Sequence, residues 1–122
     1  MKITSPNSSS KNNSFDREQY LYLTTRGRKS GLPREIEIWF TRRDGRFYLI
    51  AEYPNSNWVQ NLRADFQARV KVAGEVFPVH ARFVTLDAEP ELHRAIVALS
   101  RGKYGWGEGT IVELMPQEMA NP

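Results

Sequence analysis

The sequence predicts a mainly β domain of about six short antiparallel strands, paired as hairpins and closed into a barrel, with two short helices. Three observations carry this. Apolar and polar residues alternate with period two in the strand-like stretches, most cleanly over 34–42. Glycine-centred turns, Asp44-Gly45 and Gly74, separate successive stretches. Only two windows show helical spacing, and they do not give the strand–helix–strand alternation of a parallel sheet. Short antiparallel strands of this kind close into barrels.

Taken in order, residues 1–14 hold almost nothing to bury and are expected to be a disordered tail. The domain is expected over 15–115, with 116–122 frayed. A first strand covers 19–25. The second, 34–42, puts Ile36, Ile38 and Phe40 on one face and Glu35, Glu37 and Trp39 on the other. Asp44-Gly45 turns the chain into a third strand, 46–51. A loop at 52–56 leads to a helix over 57–64, capped by Asn55 or Ser56, with Trp58, Val59 and Leu62 sharing a face. Strands at 68–73 and 75–86 form the next hairpin, and Pro78 marks the second as an edge strand or bulge. Asp87 is the expected cap of the second helix, with Pro90 in its first turn, an apolar stripe of Leu92, Ala95, Ile96 and Leu99, and Gly102 as its stop. The last strand is 110–114.

The 122 residues suffice for one domain with a real core. Mean hydropathy is −0.56 and no apolar run approaches a membrane span. The 14 N-terminal residues lack the apolar segment of a secretory signal. With no cysteine there is no disulfide and no thiolate metal site, which fits a cytoplasmic protein. His80 and His93 have no ligand spacing, so no metal site is expected.

Net charge is only +3, but it is concentrated. Residues 26–46 hold seven basic side chains against three acidic ones, an excess of four, so the rest of the chain is close to neutral. The cluster centres on Thr24-Thr-Arg-Gly-Arg-Lys-Ser-Gly-Leu-Pro-Arg34, a loop between two strands. Arg28, Lys29, Arg34 and the Ser30 hydroxyl suit an anionic, oxygen-rich ligand. The plainer reading is a solvated turn. Nucleic acid is not the expected partner, because aromatic residues do not interleave with the cations.

The run Leu23–Arg34 resembles the deazaflavin-dependent nitroreductase and quinone-reductase family, whose members carry T-T-x-G-R-x-S-G-x-P-R here. Asn57-Trp-Val-Gln-Asn-Leu-Arg-Ala-Asp65 is similar to that family's W-Y-x-N-L-x-A-N-P. The likeness runs in order over residues 20–114. It implies a split β-barrel shared with FMN-binding pyridoxamine-phosphate oxidases, reduced coenzyme F-420 as cofactor, and a quinone or nitro compound as hydride acceptor. It implies that Arg28, Lys29, Ser30 and Arg34 hold the cofactor's phosphate and polyglutamate tail. Trp58 and Asn61 would flank the cofactor, and Ile50 and Ala51 would offer it backbone. It also implies a homodimer through the Glu35/Glu37/Trp39 face. The loop 52–56 departs from the pattern by lacking a cation, which leaves FMN as the alternative cofactor, and a non-catalytic flavin- or haem-binding module as the alternative function.

Trp39 would stack on the ring or fill a dimer interface. Glu37 and Glu52 would orient a ring N–H, move a proton, or simply face solvent. Tyr104 is either a proton donor or a plug among glycines. No catalytic residue is assigned, because the cofactor performs hydride transfer.

Overall fold

The computed structural model describes residues 15–117. After a helical turn at 15–17, the chain forms β1 (Tyr20–Arg26), β2 (Pro33–Trp39), β3 (Thr41–Arg43), β4 (Arg46–Ala51), α1 (Asn57–Ala64), β5 (Gln67–Val72), β6 (Glu75–Val84), α2 (Pro90–Tyr104) and β7 (Thr110–Pro116). The strands make one antiparallel sheet in the order β2-β1-β5-β6-β7-β4-β3. The two rims of the sheet are therefore consecutive in the chain and joined by one residue, Phe40. That joint curls the sheet into a split β-barrel.

The sheet's two faces follow from its period of two. Inward residues such as Leu21, Leu23, Phe47, Leu49, Val70, Val79, Val112 and Leu114 form the main core with Leu62 of α1. Each such fully buried aliphatic side chain contributes about 1.5–3 kcal/mol. On the outer face Tyr48, Val84 and Ile111 form a second cluster under Ile96 of α2. Leu92 and Val97 flank Ile96 there.

The described residues form seven strands rather than about six, because the expected second strand breaks at Phe40. Phe40 forms hydrogen bonds with side chains instead of a neighbouring strand. Its N–H donates to Tyr104 Oη at 3.0 Å, and its carbonyl accepts from Lys103 Nζ at 3.1 Å. Pro78 lies in β6, an interior strand, rather than at an edge or bulge. Its carbonyl accepts from Gln117 N at 2.9 Å, and pairing with β7 begins only at Val79. The missing N–H thus falls where the neighbouring strand ends, so no ladder bond is lost. The strand β7 runs to Pro116, one residue past the expected end of the domain. The disordered tail expected at 1–14 and the fraying expected at 118–122 lie outside the described residues.

Both helices fall close to where the sequence places them, but their ends differ. Ser56 takes the N-cap position of α1 but makes no side-chain capping bond; its hydroxyl donates to Tyr53 O at 2.6 Å. Glu89, not Asp87, sits at the N-terminus of α2, with Pro90 behind it. Gly102 does not stop this helix. Gly105 does, at φ 76°, a left-handed conformation that glycine adopts without strain. Leu99 is exposed, and Ser100 takes its place on the buried face by donating to Trp106 O.

Candidate functional site

The basic loop is built before any ligand arrives. Gly27 N donates to Leu32 O at 2.8 Å, Gly31 N to Gly27 O at 2.7 Å, and Leu32 N to Ser30 Oγ at 3.1 Å. Gly27 has no room for a side chain: a Cβ there would lie 2.7 Å from Ser30 Oγ. Gly31 takes φ 75°. The α1 helix anchors the loop through one buried amide. Asn61 Oδ1 accepts from Arg28 N at 3.1 Å and Arg28 Nη1 at 2.9 Å, while its Nδ2 donates to Thr25 Oγ1 at 3.1 Å. Longer contacts tie Arg28 Nη1 to Asn57 O at 3.5 Å and Nη2 to Asn57 Oδ1 at 3.4 Å. Arg34 Nη2 reaches Ser30 Oγ at 3.4 Å.

Together these elements form a groove of about 570 Å³, lined by Arg28, Lys29, Ser30 and Arg34 from the loop side and by Asn57, Trp58 and Asn61 from α1. Among the described residues none of the three cations forms an ion pair with a carboxylate. The partners of Arg28 and Arg34 are neutral amides, a carbonyl and a hydroxyl.

A second cavity, of about 530 Å³, lies across the split. Trp39, Trp106 and Tyr20 supply aromatic walls, Ile38 and Ile50 aliphatic ones, and Glu37 and Glu52 stand at its edge. Ile36 lines the groove and Ile38 lines this cleft. These residues are two apart on one face of β2, so groove and cleft adjoin. Trp39 stacks on Tyr104 with centroids 4.4 Å apart and planes 5° apart, and meets Trp106 edge-on at 6.4 Å.

The structure thus gathers Arg28, Lys29, Ser30, Arg34, Trp58 and Asn61 around the groove, and Trp39, Ile50 and Glu52 around the cleft. Ala51 lines neither. It is buried, and its carbonyl lies against Gly109, where an added Cβ would come within 2.2 Å. Trp58 also packs against the main core. Tyr104 is not a free acid. Its hydroxyl lies 2.8 Å and 2.9 Å from the carbonyls of Gln19 and Phe40, and burial raises its pKa. Lys103 beside it is held below its ordinary value by burial. His80 packs on the Phe66 ring at 4.8 Å.

One cluster escaped the sequence reading. Glu113, on the outer face of β7, is 1% exposed. It accepts from Arg82 Nε at 2.8 Å, Tyr48 Oη at 2.8 Å and Arg46 Nη1 at 3.4 Å. Arg82 also grips Glu89 at 2.6 and 3.0 Å, linking the sheet to the start of α2. Burial opposes the charge of Glu113, but Arg82, Tyr48 and Arg46 outweigh it and hold its pKa below the usual value. Burial, then the bond to Glu113, pushes Tyr48 up to about 12. The only signal in the sequence was a glutamate in an apolar strand.

A split β-barrel with an anion-ready groove beside an aromatic cleft places the protein in the fold class of flavin-type cofactor binders. The chain belongs to the F420H(2)-dependent quinone reductase family, whose sequence profile matches residues 3–111. The protein is accordingly an oxidoreductase, and its cofactor is coenzyme F-420. Among solved structures it is similar to an F420-H2 dependent reductase, with TM-score 0.64 and 18% identity over 82% of this chain and 95% of that one. It is also similar to HutZ, the heme storage protein from Vibrio cholerae, with TM-score 0.70 and 16% identity over 98% and 93%. A FAD-binding protein from Mesorhizobium loti gives TM-score 0.70 and 13% identity over 95% and 91%. At these identities the likeness is one of fold.

The residues present suit the cofactor: phosphate and several carboxylates call for several fixed cations, and this groove offers three without acidic partners. Among the described residues there is no cluster of three or more His, Asp or Glu that could hold a metal, and no helix long and apolar enough to cross a membrane.

Proposed function

We propose that the protein transfers a hydride from reduced coenzyme F-420 to a small quinone- or nitro-type acceptor. In this reading the anionic portion of the cofactor lies in the basic groove and its ring in the adjoining cleft. One observation carries it: three cations without acidic partners line a groove that leads along β2 into an aromatic cleft. When bound, the cofactor supplies the hydride; the chain supplies position.

Arg28, held by Asn61 and Asn57, and Arg34, steadied by Ser30, grip phosphate or carboxylate, and Lys29 adds a point charge. Trp58 flanks the cofactor from α1, and Ile50 and Trp39 pack against its ring. Glu52, which lines the cleft, would orient a ring N–H. These walls exclude water and hold the acceptor at about 3–3.5 Å from the donor. The protein works in the cytoplasm, as its lack of cysteine suggests. It pairs as a homodimer.

Side-by-side titration with F-420 and FMN tests the reading. The expected result is colourless protein that quenches F-420 fluorescence and oxidises the reduced form with menadione. Yellow protein carrying oxidised flavin would replace the cofactor with FMN. F-420 binding without turnover across an acceptor panel would reduce the protein to a binding module.

A further inference from the structure

We propose that the cleft selects positively charged, conjugated hydride acceptors, such as iminium or quinone-iminium rings, over anionic ones. This rests on the placement of the hydride donor given above.

Three features of the cleft support it. Its walls are aromatic, and Tyr20 and Trp39 remain 42% and 38% exposed. Open π-faces attract cations, indole most strongly. Both charged groups lining the cleft, Glu37 and Glu52, are carboxylates, and no Lys, Arg or His lines it. Finally, neither carboxylate is neutralised within the fold. Glu37 accepts only from the neutral Tyr22 hydroxyl, at 2.8 Å, and among the described residues neither forms an ion pair. Three cations against one carboxylate, Glu35, line the groove, so groove and cleft carry lining charge of opposite sign.

The chemistry agrees with this lining. At an iminium carbon the hydride forms a C–H bond while the C=N π pair moves to nitrogen, giving a neutral amine. The reduced deazaflavin loses that hydride and one proton, and the proton passes to solvent. The acceptor takes up no proton.

The test uses the cofactor-free protein, titrated by tryptophan quenching with cationic N-methylacridinium, neutral menadione and an anionic naphthoquinone sulfonate. We expect acridinium to bind at least about tenfold more tightly than the sulfonate, the effect of about one partly screened charge pair. Glu37→Gln with Glu52→Gln should lower acridinium binding about tenfold relative to menadione. Trp39→Ala should weaken both. Equal binding of acridinium and sulfonate, or a preference that survives the double Gln variant, overturns the proposal. In the F-420-loaded enzyme kcat/KM should shift in the same sense. Failure of F-420 itself to bind, read from its own fluorescence, would instead refute the cofactor placement.

Discussion

The basic groove and the Glu113 cluster are made of similar residues in opposite states. In the cluster every charge is answered within the fold. Glu113 meets Arg82, Arg46 and Tyr48, and Arg82 meets Glu89 as well. In the groove Arg28 and Arg34 are oriented only by neutral groups, so their charge is left over for a ligand. Paired charges in a fold stabilise it, whereas charges oriented by neutral partners are available for binding. Arginine content alone cannot separate the two cases.

Breaking the paired region should have the largest effect. Glu113→Ala leaves Arg82 and the Tyr48 hydroxyl without their buried acceptor. It should cost about 2–4 kcal/mol in chemical denaturation, less than a fully enclosed pair because Arg82 and Arg46 reach solvent. Molecules that remain folded should bind F-420 as before. Arg28→Ala with Arg34→Ala should do the reverse: F-420 binding at least about tenfold weaker, and stability changed by only about 0.5 kcal/mol. Unchanged affinity would detach the loop from the cofactor.

Acid sharpens the contrast. The carboxyls of Glu113 and Glu89 have folded pKa values below their ordinary 4.5. The stability they supply is present above that value and is lost as pH falls through their lower folded values. Denaturation midpoints should therefore drop below about pH 4.5 in the wild type, and less steeply in Glu113→Gln. A parallel fall in both proteins would remove Glu113 as a cause. The smallest expected effect is that of Tyr104→Phe, which removes the hydroxyl between Gln19 and Phe40 at a cost of about 1 kcal/mol.

How much the sequence revealed follows the same division. Local signals were legible. Alternation marked the inward face of β2, Asp44-Gly45 marked the β3–β4 hairpin, with both residues at positive φ, and the Thr24–Arg34 motif marked the groove. Features set by distant partners were not. Phe40 breaks a strand because Tyr104, 64 residues away, takes its N–H. Pro78 sits in an interior strand because β7 stops opposite it. The role of Glu113 depends on register with Tyr48 and Arg82 on the two neighbouring strands. Ala51 was expected to offer the cofactor its backbone, but it pairs with Thr110 and its carbonyl lies against Gly109.

The single-residue joint at Phe40 has a consequence for how the protein behaves in a crowded solution. Open sheets normally present two long unpaired edges on which other chains can grow fibrils. Here one terminal strand is only three residues long and carries Arg42 and Arg43, and the other opens with Pro33 and bears Arg34, Glu35 and Glu37. Short length, proline and alternating charge each discourage strand addition. The same curl that shapes the cofactor site thus leaves little template for aggregation.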